Sequence, residues 1–311
     1  MSGKKIVIAL GGNALGNTPE EQFKLVQLPA KIIAQLAKEK YQIILGHGNG
    51  PQVGMIYNAF SDANNFNAKN PCVPFPEAGG MSQGYIGYHL TTALANAYAA
   101  NKIKNEVVYL LTETIVDAKD PAFKNPTKPV GPFYKTMDDA KKQNPNSEII
   151  EDSGRGYRKV VASPAPVSFL GLNTIKKVVD NGATVIVGGG GGIPVVLKNN
   201  KYVGVDGVID KDFALAKIAD LLNADIFVVL TAVNYVAINF NKPDQKSLKN
   251  VTVKEMQKHL KDGQFAAGSM KPKVEAAIKF VGKNKKRVAY IGDLKDLSKI
   301  LAGKIGTKIT A

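Results

Sequence analysis

Residues 4–12 read KKIVIALGG, two lysines, five apolar side chains in a row and a glycine pair. A strand with one wet face alternates apolar and polar residues. An unbroken run predicts a strand buried on both faces, as in a parallel sheet covered by helices. The glycines stand where such a strand hands over to the next element. There the backbone can turn sharply and a ligand can come close.

The same grammar recurs outward from this point. Residues 19–39 carry Phe23, Val26, Ile32, Ile33, Leu36 and Ala37 at helical spacing. Residues 42–45 (QIIL) read as a second strand, again ending in glycines. Helices are predicted over 81–100, 212–223 and 273–281, and strands over 107–116, 183–187, 226–230 and 287–291. Alternation of this kind predicts an α/β protein, a sandwich with a largely parallel central sheet. Two stretches break the rhythm. Residues 117–170 mix prolines, charges, glycines and short strand-like pieces such as 158–162, and read as an inserted excursion or small subdomain. Residues 193–210 predict a hairpin turning at Asn199-Asn200. The expected organisation is thus one domain over 1–311, with a protruding insert at about 117–170.

The 311 residues suffice for a sizeable core. No apolar run is long enough for a membrane helix. No small-residue cleavage site follows the first lysines, and Cys72 is the only cysteine, so a cytosolic location without an intrachain disulfide is expected. The formal charge of +15 raises nucleic acid as a partner. The basic residues, however, are spread out, with only short clusters such as Lys283, Lys285, Lys286 and Arg287, and no aromatic interleaving. The excess reads as solvated surface with a share that draws anionic substrates, so neither nucleic acid nor membrane is expected as a partner.

Three glycine-rich loops follow apolar strands: Gly11-Gly12-Asn13, residues 46–51 (GHGNGP) and Gly188 through Gly192. Each by itself equally serves to turn the chain; together they suit an anion-binding rim. Neither G-x-x-x-x-G-K-[ST] nor G-x-G-x-x-G occurs, which excludes a P-loop and weakens a dinucleotide reading. Phosphoryl transfer needs positive charge on the moving group, and three lysines are candidates. Lys211 lies between Asp210 and Asp212, which can hold its ammonium; Asp212 can also cap the following helix. Lys128 sits in NPTKPVGP, a proline-stiffened loop. Lys273 follows GSMKP at a helix start. Read singly, each is equally an ordinary capped helix start or a solvated surface lysine. The three histidines and one cysteine lack metal-ligand spacing, so no metal ligands are assigned, and His47 reads as a hydrogen-bonding loop residue rather than a base.

Seven segments in order, IALGGNAL, GHGNGPQVG, FKNPTKPVGPF, GRGYRKVVASP, GGGGIPVV, GVIDKDFA and FAAGSMKPKVEAA, resemble the carbamate kinases of the amino-acid-kinase family from about residue 4 to the C-terminus. The resemblance implies a three-layer αβα sandwich with a protruding subdomain, usually a homodimer. It implies ATP + carbamate = ADP + carbamoyl phosphate with Mg²⁺, often run toward ATP in arginine fermentation. It assigns Lys211 and Lys128 to neutralising the phosphoryl group and Asp212 to orienting the lysines. Gly11, Gly12, Asn13, Gly48 and Asn49 are implied to hold substrate, and Tyr235, Met270 and Lys273 to lie on the nucleotide side. Ala232, Asn234 and Lys271 depart from the family pattern beside the nucleotide. Two other readings stand beside this one: another small-acid kinase of the fold, acetylglutamate- or uridylate-kinase-like, and a nucleotide-binding regulator. The insert is expected to act as a mobile lid that carries Lys128 inward.

Overall fold

In chain order the strands of the computed structural model are β1 (Lys5–Leu10), β2 (Gln42–His47), β3 (Val107–Tyr109), β4 (Glu113–Val116), β5 (Lys128–Tyr134), β6 (Ile149–Glu151), β7 (Tyr157–Val161), β8 (Pro166–Phe169), β9 (Thr184–Ile186), β10 (Ile193–Lys198), β11 (Lys201–Gly204), β12 (Ile226–Thr231), β13 (Val236–Ile238), β14 (Lys246–Leu248), β15 (Asn250–Thr252), β16 (Val288–Asp293) and β17 (Thr307–Thr310). The helices are α1 (Pro19–Leu25), α2 (Gln27–Lys38), α3 (Gly50–Phe66), α4 (Phe75–Ala100), α5 (Met137–Gln143), α6 (Leu172–Asp180), α7 (Lys211–Leu221), α8 (Val253–Lys261), α9 (Met270–Val281) and α10 (Leu297–Leu301). The structure describes residues 3–11, 15–16, 18–145, 147–152, 154 and 156–311.

The central sheet has eight strands in the order β15-β17-β16-β12-β1-β2-β9-β3. β1 pairs in parallel with both β2 and β12, and only at β17 does the direction reverse. Ile6 through Leu10 are all fully buried, which is why that run tolerates no polar residue. Val7 and Ala9 face a core shared with α6, α7 and α9; Ile6, Ile8 and Leu10 face another, built with α2 and α4. Helices on both faces make three layers, as expected. β2 and β12 lie on opposite sides of β1, so the strand order switches at β1, and the crevice beyond its carboxyl end is where such a sheet binds ligands.

Several boundaries differ from expectation. The strand expected over 107–116 is two strands, with β3 in the central sheet and β4 in a four-stranded sheet, β11-β10-β4-β8. Periodicity cannot see this, because both pieces are apolar enough to be strands. The helix expected at 81 starts at Phe75, one residue after Pro74, its N-cap. The pattern over 19–39 breaks at Val26 into α1 and α2. The hairpin forms with Asn199 and Asn200 at φ of 50° and 60°. Within 117–170, β5, β7 and β6 form a three-stranded antiparallel sheet with α5 beside it, while β8 belongs to the four-stranded sheet.

Candidate active site

Lys128 is not on a loop. It is the first residue of β5, an edge strand, where Pro129 and Pro132 are tolerated because one side of the strand has no neighbour to bond. The Lys128 ammonium reaches Asp210 Oδ2 at 2.8 Å. Asp210 is also the N-cap of α7, its other oxygen accepting from the Asp212 backbone N–H at 2.9 Å. The cap expected of Asp212 is therefore made by Asp210, two residues earlier, because the helix already begins at Lys211.

That displacement leaves the Asp212 carboxylate, almost fully buried, free to serve two cations. Lys211 Nζ donates to Asp212 Oδ1 at 2.5 Å and Lys273 Nζ donates to Oδ2 at 2.9 Å. Lys211 is thus held by one carboxylate rather than two. Asp212 orients Lys211 and Lys273, while Lys128 is oriented by Asp210. Three ammoniums and two carboxylates leave one net positive charge. They gather where α7 and α9, two packed helices, both begin, and the free N–H groups of helix starts add further positive character.

Burial pushes Lys211 below the ordinary lysine value and neighbouring Lys273 adds to this, against the pull of Asp212. Burial alone would raise Asp212. The Lys211 and Lys273 charges and their hydrogen bonds outweigh it and hold the carboxyl below its usual range. The site therefore keeps its carboxylate ionised, as a bridge between two cations.

The glycine loops lie beside this cluster. Gly11 follows β1, and a side chain there would meet the Leu230 carbonyl of β12. Gly12 and Asn13 lie outside the described residues. Asn49 precedes α3, and its amide donates to Ser82 Oγ at 2.8 Å. Gly188–Gly191 are buried, and their walls are protein. A side chain on Gly190, whose φ is +63°, would strike the Asn49 amide, and one on Gly191 would strike the Ile209 carbonyl, one residue before Asp210. This third loop therefore acts as a packing plate between Asn49 and the start of α7. Thr112 and Thr114 hold it through Gly188 N and Gly191 O at 2.9 and 2.7 Å, and Gln83 brackets Thr112 with two further bonds.

His47 ends β2, fully buried, with its pKa lowered to about 4 chiefly by desolvation. Neutral at physiological pH, it donates from Nδ1 to Gly48 O (2.8 Å) and accepts at Nε2 from Tyr109 OH (3.0 Å). It is a hydrogen-bonding residue, as expected. Tyr235 lies in the loop after β12, and Met270, the first residue of α9, packs on the core. Neither makes a hydrogen bond or ion pair with the lysine cluster among the described residues. Asp210's link to Lys128 escaped the sequence reading, since 82 positions separate them. So did Ser82, Gln83 and Tyr109, which lie in segments without any local motif.

The described residues hold no group of three or more histidine, cysteine, aspartate or glutamate side chains placed for a metal ion. No helix among them is long and apolar enough to cross a membrane.

Residues 4–292 match the amino acid kinase family. The chain is 56% identical to the "Carbamate kinase-like protein" of Mycoplasma pneumoniae over 98% of this chain and 99% of that one. It is 49% identical to the carbamate kinase of Staphylococcus haemolyticus over the same shares. The structure of carbamate kinase from Giardia lamblia bound to AMP-PNP superposes with a TM-score of 0.91, at 42% identity, covering 100% of this chain and 99% of that one.

Proposed function

The chain belongs to the amino acid kinase family, on its carbamate kinase branch, and from that premise we propose that it moves a phosphoryl group reversibly between carbamoyl phosphate and ADP through the Asp212-bridged lysine pair. Carbamoyl phosphate gives its phosphoryl group to a terminal oxygen of ADP. The bond to the carbamate oxygen breaks as the bond to the ADP oxygen forms, and carbamate leaves as the anion. No proton must be abstracted, so no base is needed, and neutral, buried His47 is no obstacle.

The barrier is electrostatic. Negative charge crowds the equatorial oxygens as donor and acceptor are brought into line. Lys211 and Lys273, fixed about one carboxylate, place two positive charges together without reorganisation, the arrangement that stabilises such a transition state best. Lys128 adds a third from the three-stranded insert. Gly11, Gly48 and Asn49 hold substrate oxygens at the carboxyl edge of the sheet; Gly12 and Asn13 are assigned there by resemblance alone. Tyr235 and Met270 flank the nucleotide base side. The observation that carries this reading is Asp212 bridging Lys211 and Lys273, with Asp210 holding Lys128 beside them.

Magnesium enters as a companion of the nucleotide. Asp210 and Asp212 are both engaged by lysines, so a resident cage does not fit these residues. A cation held by the phosphates and water does fit, as is usual for Mg²⁺. The insert serves as a lid over labile substrates, with Lys128 as its contribution to the site. The protein acts in the cytoplasm, making ATP in arginine fermentation, as a homodimer; exposed Phe23 and Tyr88, packed about His89, support an apolar self-association face.

A coupled assay for ATP from carbamoyl phosphate, ADP and Mg²⁺ tests the function. ATP formation that falls about 10²–10³-fold in Lys211→Ala is expected; no ATP from the wild-type protein would refute it.

A further inference from the structure

A second cation-lined cavity shares none of its lining with the lysine cluster. Lys159, on β7, is only 7% exposed, a degree of burial that lysine rarely reaches without a partner. Yet no oxygen among the described residues accepts a hydrogen bond from its ammonium, and no carboxylate pairs with it. Instead Nζ stands 4.0 Å from the ring centre of Tyr57 and 4.6 Å from that of Phe75, two rings stacked on each other at 4.4 Å. Rings attract a cation through their faces but leave its three N–H donors unused.

Lys159 is one wall of a cavity of about 640 Å³ between α3 and the three-stranded insert. Lys135 and Lys142 add two more positive charges, against Asp62 and Asp139. One of these acids is partly engaged, since Asp139 Oδ2 accepts from Thr136 Oγ1 at 2.7 Å. From α3 come Asn58, Ser61 and Asn65, whose spacing places them on one helix face toward the cavity. None of the three side chains hydrogen-bonds elsewhere among the described residues. None of Lys128, Asp210, Lys211, Asp212 or Lys273 lines this space.

We propose that this cavity is a binding site for a small phosphate- or carboxylate-bearing polyanion, anchored by the Lys159 ammonium and hydrogen-bonded by the Asn58, Ser61 and Asn65 face of α3. An ionic oxygen supplies the acceptor that Lys159 lacks, and bonds between charged partners are the strong ones. The size suits an organic anion rather than a lone ion. The site also sits close to the proposed chemistry in the fold. Lys159 pairs across the ladder with Val130, and Lys128 is two residues back on the same strand. An anion seated here ties the insert that carries Lys128 to α3.

Calorimetric titration of the full chain with pyrophosphate, and separately with tricarballylate, tests the site and tells phosphate from carboxylate chemistry. Wild-type protein and the Lys159→Met, Asn58→Asp and Lys211→Ala variants are compared. For at least one probe, an equivalent bound by wild type should survive in Lys211→Ala. In Lys159→Met it should weaken at least roughly tenfold, since a charged acceptor loses its charged donor. In Asn58→Asp, which leaves the buried rings untouched, it should weaken about fivefold or more through like-charge repulsion. The Asn58 variant decides the matter if Lys159→Met does not fold. Survival in Lys211→Ala keeps this result independent of the kinase reading. Binding unaltered by either cavity change, no binding of either probe, or loss of all binding in Lys211→Ala would overturn the proposal.

Discussion

Lys211 and Lys159 are both buried lysines, and the fold treats them in opposite ways. Lys211 is locked at 2.5 Å to a carboxylate that also holds Lys273, where two helices start. Lys159 rests on two aromatic rings, and no oxygen among the described residues accepts a hydrogen bond from it. The first arrangement is complete before any ligand arrives, because its charges answer one another. The second leaves its N–H donors open to water or to an incoming anion. A buried cation with an internal partner thus marks preorganisation, and one without marks a vacancy for charge.

The largest expected effect lies in the partner. Asp212→Ala leaves Lys211 and Lys273 facing each other unpaired, and breaking a buried ion pair from one side costs about 3–5 kcal/mol. Denaturant unfolding at neutral pH measures it. The pH dependence has a definite sign. Asp212 is depressed in the folded state, so its stabilisation is full above the unfolded carboxyl value and is lost as pH falls through the lower native one. The stability gap between wild type and variant should therefore hold through neutrality and narrow in acid. A gap that widens in acid contradicts the bridge.

Next comes Lys211→Ala, expected to lower turnover by about 10²–10³-fold while nucleotide affinity changes far less, as for other single charge-stabilising donors. Steady-state rates with a separate measurement of ADP binding check it; turnover within a few-fold of wild type would remove Lys211 from the chemistry.

Lys128→Ala should cost less than Lys211→Ala, because Lys128 is about a third exposed and its partner Asp210 remains held by the α7 backbone. Hydrogen exchange of β5 and β7, with and without nucleotide and a substrate analogue, tests the lid. Unchanged protection together with a near-normal Lys128→Ala rate leaves that idea unsupported.

The smallest effect sharpens the contrast. Lys159→Met keeps the apolar stem on the rings and removes a charge that no carboxylate among the described residues pairs with. Its unfolding stability should move by only about 1 kcal/mol, the scale of a cation–ring contact. A loss as large as that of Asp212→Ala would show that Lys159 has a structural partner after all.

Much of the candidate site was legible because its residues are local. VIDKD holds Asp210, Lys211 and Asp212 within three positions, and the apolar run at 6–10 ends in the glycine that starts the crevice. The division of labour within the motif was not legible. Whether a carboxylate caps a helix or bridges two lysines depends on where the helix begins, and boundaries are the weakest part of any periodicity argument. The packing role of Gly188–Gly192 was equally hidden, since the groups pressing on those glycines come from Asn49 and Ile209.

The amino-acid sequence by itself determined the α/β class, the buried parallel strands and the glycine turns, because each is a short-range rule written in hydrophobic period and backbone freedom. Tertiary structure alone decided which charges meet: Lys128 with Asp210 across 82 residues, Lys273 with Asp212 across 61, and Lys159 with Tyr57 and Phe75 rather than an acid. The physical reason is range. Periodicity acts over a turn or a strand, whereas an ion pair needs only closeness in space, and that is set by how β1 and its neighbours stack the helices around the crevice.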